Sequence, residues 1–322
     1  MHEWLYAPDG YYSRYRDIGK EGDFFTAVSV SKFFGGSIAR HLYRLLSQGS
    51  VAKDAYVVEI GAHRGYLLAD MVQFLYTFDK NLLRSLKFAI IEPFEDLRRI
   101  QRDYFSQSFG DAVELVHFKS LEEVRVEEAF VVANEIFDAF ACELFYKGDM
   151  AYVEDFNIEF KPASEWVSDI AGRYGFERGE VAVGYEEFAK NMASAFEKAR
   201  FVTFDYGDLV PRNDFSVRVY QGHRVFPLFD EKLDLKAAFK RSDITYDVNF
   251  SHLIDAFKDA GFEKEAFKTQ LAALVDFGIT ELLDEVQKRA GFEAYKQEAD
   301  KVKVLLHPSQ MGERFKMVEF VK

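Results

Sequence analysis

The sequence predicts an α/β protein, with a mostly parallel sheet covered by helices on both faces. Short apolar runs alternate with amphipathic helical patterns along most of the 322 residues. The runs Val57-Val58-Glu59-Ile60, Phe88-Ala89-Ile90-Ile91 and Phe130-Val131-Val132-Ala133 are almost wholly apolar, as in strands buried on both faces. Hydrophobic residues make up 48% of the chain, with 34 Phe among them. That is material for a large core, and it excludes an intrinsically disordered protein.

In chain order, strands are expected at Tyr56–Ile60, Lys87–Ile91, 113–118, 129–133 and 200–204. Helical patterns occupy Tyr66–Phe78, 94–105 and 185–198. Residues 142–161 alternate apolar and polar around Lys147-Gly148-Asp149, the signature of a hairpin inserted after the fourth strand. Residues 208–247 carry few helix signals and are expected to form extended loops. The chain then returns to helices at 250–260 and 270–288, and ends on segments 301–306 and 314–321 joined through Met311-Gly312. With 6 Pro, no Ser/Gly-rich tract and no internal repeat, the expectation is one domain over 1–322. Its 142–161 and 208–247 regions would serve as lid or substrate elements.

The net charge is −13. No basic stripe marks a phosphate-gripping surface, so nucleic acid is not an expected partner. Arg98, Arg99 and Arg102 stand beside acids at helical spacing and read as a solvated helix face. Cys142 is the only cysteine, which leaves no intrachain disulfide and no thiolate zinc cluster. The seven His are scattered, so no metal is expected. The first residues lack a basic region and an apolar core, and no run approaches a membrane span. The expectation from this is a cytoplasmic protein without membrane insertion.

Two segments bear chemistry. The first strand ends in Glu59-Ile60, turns through Gly61-Ala62-His63-Arg64-Gly65, and enters the helix at Tyr66. A strand, glycine turn and helix start in this order suit a nucleotide-like ligand, and Glu92 at the end of the next strand can accept both hydroxyls of a ribose. A plain turn and a helix-capping acid are the structural alternatives. No Gly-Lys-Ser/Thr follows, which excludes a phosphate-binding P-loop, and a dinucleotide site would want a third glycine. In the second segment, Val131-Val132-Ala133 emerges directly into Asn134-Glu135-Ile136-Phe137-Asp138. Open α/β sheets place ligands at such carboxyl edges. Glu135 and Asp138 could orient an arginine and localise its charge, or Asn134 or Asp138 could cap the next helix.

These segments belong to a longer ordered set. It comprises Gly10-Tyr11-Tyr12, Gly22-Asp23-Phe24-Phe25-Thr26 with Phe34-Gly35, the 59–65 turn, Ala133 to Asp138, Asp205-Tyr206-Gly207, Tyr220-Gln221-Gly222-His223-Arg224, and Met311-Gly312-Glu313-Arg314-Phe315-Lys316. In this order the chain resembles, over nearly its whole length, the family of the mitochondrial complex I assembly methyltransferase MidA and its bacterial relatives. The resemblance implies a class I methyltransferase (Rossmann-like) fold with a seven-stranded sheet whose last strand, 314–321, runs antiparallel. It implies S-adenosyl-L-methionine as cofactor and protein arginine methylation, on a protein partner such as the 49-kDa-type subunit of respiratory complex I. Glu59, Gly61, His63 and Gly65 would line the methionine end of the cofactor and Glu92 its ribose, with Asp23 and Thr26 closing the site. Asn134, Glu135 and Asp138 would face the substrate and carry catalysis. Apart from the resemblance, His223, lying in an irregular stretch beside Arg224, reads either as a base or substrate contact, with Arg224 as a further substrate contact, or as a structural residue.

The sequence departs from the family at His63, where a glycine is usual. A Cβ there costs about 1–2 kcal/mol if the backbone is left-handed. Two alternatives therefore stay open: an assembly factor that kept the fold and lost the chemistry, and a methyltransferase acting on a small molecule.

Overall fold

The computed structural model describes residues 1–13, 26–221 and 224–322. Its strands, in chain order, are β1 Tyr56–Ile60, β2 Lys87–Ile91, β3 Leu115–Phe118, β4 Val126–Asn134, β5 Cys142–Tyr146, β6 Asp149–Glu154, β7 Asn157–Pro162, β8 Arg178–Ala182, β9 Phe196–Asp208, β10 Arg218–Gln221, β11 Arg224–Pro227, β12 Asp243–Thr245, β13 Val248–Asn249, β14 Glu263–Thr269 and β15 Phe315–Val321. Two compact units result. The larger comprises Thr26–Asn134, Lys190–Asp205 and Ala260–Lys322. The smaller comprises the described parts of Met1–Phe25, Glu135–Ala189 and Tyr206–Asp259.

The larger unit is built on a sheet of order β14-β15-β9-β4-β1-β2-β3. Pairings from β3 through β9 are parallel, whereas β14 and β15 pair antiparallel. Ala199 and Lys322 exchange both backbone hydrogen bonds (3.1 and 2.9 Å), so β15 joins β9 in the antiparallel sense the sequence led us to expect. Val57, Val58, Phe88, Ala89, Ile90, Phe130 and Val131 are buried, because a parallel sheet covered on both faces exposes neither side of a central strand. The order reverses at β1, whose neighbours are β2 and β4; such a switch point is where open α/β sheets hold ligands. Register aligns Ile60 with Ile91 on one side and with Ala133 on the other. Gly61, Glu92 and Asn134 thus leave the sheet at one carboxyl edge.

The chain differs from its sequence reading at four places in this unit. The 185–198 helix stops at Ala195, and β9 takes over at Phe196. The 270–288 helix is two, Gln270–Asp276 and Ile279–Ala290, divided at Gly278 with φ 90°. The left-handed backbone favours glycine there, and a Cβ, which would lie 2.3 Å from Arg40 Nε, would also have to displace that side chain. The segment expected at 301–306 is the end of a helix that starts at Phe292. β14 had no expectation at all: Glu263-Lys264-Glu265 masks an edge strand with charge.

In the smaller unit, β7-β6-β5-β8 form an antiparallel sheet. Lys147 and Gly148 take φ 49° and 93° at the hairpin between β5 and β6. Its apolar face packs Phe145, Met150 and Val181 against Val167, Ile170 and Phe176. The 208–247 region is not loop alone: β11-β10-β12 form a three-stranded sheet, with a short Leu235–Ala238 helix between β11 and β12 in the chain. Strands of three or four residues with charged ends fall below any alternating pattern, which is why the sequence reads as loop. Phe137, fully buried, stacks edge-on against Tyr185 and Phe188 and anchors the start of this unit.

Candidate active site

The turn after β1 is shaped by its backbone. Gly61, His63 and Gly65 all lie in the left-handed region, at φ 72°, 46° and 79°. Gly65 is the N-cap of the Tyr66–Phe78 helix and has no side chain to satisfy the helix's free N–H groups. Glu59 does so instead: its Oε2 accepts the Leu68 N–H at 2.9 Å. Burial pushes the Glu59 carboxyl up to about 8, against that N–H bond and with the charges of Asp70 and Glu92 adding to the rise. Glu59 therefore ties strand, turn and helix together from below. A side chain at Gly65 would meet Phe105 at 3.2 Å and Ile90 at 3.4 Å.

Glu92 is buried at the end of β2. Its Oε1 accepts the Phe94 N–H at 3.1 Å, and the Gln101 Nε2 lies 3.4 Å from Oε2. Burial raises its carboxyl to about 7, opposed by those two bonds and by Arg98. The capping alternative is thus partly realised, since Phe94 is the N-cap of the Glu95–Phe109 helix. A carboxylate offers about four lone-pair sites, so Glu92 retains capacity for two hydroxyl donors. The donor and acceptor chemistry at this edge fits the nucleoside of S-adenosylmethionine.

Arg98 corrects the reading of a solvated basic face. It is buried, and its Nη1 donates to the carbonyls of Glu92 (2.6 Å) and Pro93 (2.8 Å). Arg99 and Arg102 do face solvent, paired with Asp96 and Glu95. Helical spacing put all three on one helix; the first turn folded one of them back onto the strand end.

Sequence reasoning missed Gln101, His117 and Asp70. Gln101 donates to the His63 carbonyl at 2.8 Å, and His117 Nε2 lies 2.9 Å from Gln101 Oε1. The signal was present: Gln101 falls on the stripe Leu97, Gln101, Phe105, an amide where spacing demands an apolar residue. Asp70 is raised to about 7, by burial and despite Lys32. Thr26 is the N-cap of the short Ala27–Val30 helix, its Oγ1 accepting the Ser29 N–H at 3.3 Å.

Asn134 ends β4, and the smaller unit begins with Glu135. Glu135 sits at φ 53°, a left-handed conformation that is uncommon for glutamate. Neither Asn134 nor Asp138 is a helix cap: the 3-10 turn Phe137–Ala139 has Ile136 as its N-cap, with no side-chain bond. Asp138 is buried and accepts the Tyr206 hydroxyl through Oδ2. Burial raises its carboxyl to about 6, against the Tyr206 hydrogen bond and the charge of Arg218.

Around it stand tyrosines and a second acid. The Tyr12 hydroxyl lies 3.0 and 3.1 Å from the two oxygens of Asp243, which is also buried. Tyr6 donates to the Ala139 carbonyl at 3.2 Å. Burial, with the charges of Asp138 and Asp243, keeps both Tyr6 and Tyr12 protonated. The Arg218 guanidinium lies over the Tyr206 ring at 5.2 Å and pairs with Asp247. Arg224 begins β11, exposed, opposite Gln221. Asp23 and His223 lie outside the described residues. No group of three or more His, Cys, Asp or Glu that could hold a metal occurs among the described residues.

A parallel sheet with its switch point at a glycine turn, an acid ending the next strand and an antiparallel last strand define a class I methyltransferase. The chain belongs to the family described as "Putative S-adenosyl-L-methionine-dependent methyltransferase", whose profile matches residues 37–268. It is 25% identical to the mitochondrial protein arginine methyltransferase NDUFAF7 homolog of Drosophila melanogaster, over 99% of this chain and 79% of that one. The NDUFAF7 protein of Rattus norvegicus is 24% identical, over 98% and 78%. Among solved structures, a Burkholderia thailandensis protein bound to S-adenosyl-homocysteine matches with a TM-score of 0.85 at 24% identity, covering 100% of this chain and 86% of that one.

The expectation of a cytoplasmic protein is corrected by these relatives, which are mitochondrial proteins. It rests on first residues that carry no basic region or apolar core and on the lack of a long apolar run, and neither feature identifies a compartment. Among the described residues, no helix is long and apolar enough to cross a membrane.

Proposed function

We infer that this methyltransferase modifies an arginine nitrogen of a protein substrate. The observation that carries the reading is Glu135, an acid held at φ 53° immediately after the buried strand β4. Holding a non-glycine residue there costs about 1–2 kcal/mol, and such strain gathers at functional positions. The names of the relatives, protein arginine methyltransferases, support the same assignment.

When bound, S-adenosylmethionine supplies an electrophilic methyl group. The 61–65 turn would receive its amino-acid end, and Glu92 would accept the ribose hydroxyls. Asn134, Glu135 and Asp138 would hold the acceptor. An arginine remains protonated at neutral pH, so its nitrogen becomes a usable nucleophile only where carboxylates fix the planar fork and localise its charge. The Glu135 carboxylate would take these N–H bonds and accept the proton released as the nitrogen gains a methyl group. Asp138, held by the Tyr206 hydroxyl, would add fixed negative charge. Alignment of the nitrogen with the methyl group accounts for much of the acceleration in such a transfer. The acceptor implied by the family resemblance is an arginine of the 49-kDa-type subunit of respiratory complex I.

The test is incubation with methyl-labelled S-adenosylmethionine and that subunit, read by peptide mass spectrometry. Label on one arginine, lost when that arginine is replaced by lysine, is the expected result. Label on lysine, or none from a preparation that binds the cofactor, would contradict the assignment.

A further inference from the structure

The Glu95–Phe109 helix buries Leu97, Arg98, Gln101 and Phe105. Gln101 has no exposed surface, so each polar atom of its amide needs a partner inside the protein. Its Nε2 donates to the His63 carbonyl at 2.8 Å and lies 3.4 Å from Glu92 Oε2. Its Oε1 lies 2.9 Å from His117 Nε2. These partners fix which end of the amide is which. A carbonyl and a carboxylate both accept, so the NH2 must face them, and the carbonyl end must face a donor. Burial, followed by the charges of Arg102 and Arg98, holds the His117 ring down at about 4. The neutral ring thus presents Nε2–H to Gln101. One side chain thereby joins the turn after β1, the end of β2 and the middle of β3.

His63 occupies the left-handed φ of 46° without the freedom of glycine. The Gln101 bond falls on the carbonyl of that same residue. We propose that Gln101 is a positioning residue for cofactor binding, holding the His63 turn and the Glu92 carboxylate in the arrangement that receives S-adenosylmethionine. This rests on the placement of the cofactor given above. Gln101 does not touch the reacting atoms; it acts through the turn and through Glu92.

Calorimetric titration with S-adenosylhomocysteine tests it. Gln101→Met keeps the volume and removes the donor, and should weaken binding about tenfold, the loss of a buried hydrogen bond. In a His63→Gly background the same change should cost about threefold or less, because glycine adopts the left-handed turn unaided. The KM for S-adenosylmethionine should rise while kcat stays within about twofold, a split that a loosened core would not produce. His117→Phe leaves Gln101 in place and removes the donor behind it; a loss of about threefold is expected, by the same reasoning for one weakened hydrogen bond. Glu92→Ala is the control for the site itself. If Glu92→Ala weakens binding and neither Gln101→Met nor His117→Phe does, the positioning role is wrong and the cofactor placement stands. If Glu92→Ala also leaves binding unchanged, the placement falls and the proposal with it. Equal losses from Gln101→Met in both His63 and His63→Gly backgrounds would overturn its hold on the turn.

Discussion

Carboxylates are buried both around the 61–65 turn and in the smaller unit, but they are satisfied in different ways. At the cofactor turn, Glu59 accepts the N–H of Leu68, 9 residues further on, and Glu92 that of Phe94, 2 residues further on. In the smaller unit, Asp138 accepts the hydroxyl of Tyr206 from 68 residues away, and Asp243 that of Tyr12 from 231 residues away. A backbone N–H neither titrates nor turns aside, so the first arrangement is fixed once strand and helix have formed. A tyrosine hydroxyl can rotate but, as burial and Asp243 keep Tyr12 protonated, the second arrangement holds its acids through neutral donors brought in from distant parts of the chain. On the function proposed above, the first region would hold the cofactor and the second would handle the acceptor.

The largest effect should come from the acids of the 134–138 segment. Glu135→Gln or Asp138→Asn is expected to lower kcat on an arginine substrate by about 10²-fold, the scale of losing one preorganised electrostatic group. Affinity for S-adenosylmethionine should remain nearly that of the wild type. Loss of cofactor affinity in step with kcat would erase the distinction between the two regions.

The next effect is in pH. The Glu92 carboxyl is raised by burial from its ordinary 4.5 to about 7, and ribose hydroxyls favour its charged form. Affinity for S-adenosylmethionine should therefore climb from pH 6 to pH 8, by at most about tenfold per unit below pH 7. Glu92→Gln should flatten that profile. Stability runs the other way. A carboxyl raised on folding contributes fully below its unfolded value of 4.5, and that contribution is lost as pH rises through about 7 for Glu92 and about 8 for Glu59. The ligand-free protein should accordingly melt at lower temperature at pH 8 than at pH 5 as far as these two acids decide it. A Glu59→Gln, Glu92→Gln double variant with an unchanged melting slope would contradict this.

The smallest effect concerns His63. Its left-handed φ of 46° makes His63→Gly relieve a backbone penalty, worth up to about 1 kcal/mol for a residue type that tolerates this region. Titration should show cofactor binding a few-fold tighter in the variant. Weaker binding would make the imidazole a contact residue instead.

Much of the larger unit was legible because its information is local. Consecutive apolar residues announced β1, β2 and β4, and Gly61 and Gly65 marked the turn between strand and helix. Glu92 was legible for the same reason, as the first polar residue beyond a buried strand. Gln101 was harder to find, since its meaning depends on His63, 38 residues earlier, and on His117, 16 later. The pairing of Tyr12 with Asp243 could not be read at all. Tyr12 stands among aromatic residues that look like packing, and Asp243 lies in a strand of three residues. Charge at Glu263-Lys264-Glu265 concealed β14, and the fold-back of Arg98 was invisible to helical spacing.

We place the cofactor at the end of β2 and the turn after β1 as one site, and Glu92→Ala bears on that placement without an intermediary. The measurement is calorimetric titration of wild type and variant with S-adenosylmethionine at pH 8, alongside a thermal melt that establishes folding. Loss of a charge-assisted acceptor for two hydroxyls should weaken binding by about 2 kcal/mol, roughly thirtyfold. An unchanged dissociation constant in a folded Glu92→Ala protein would contradict the account.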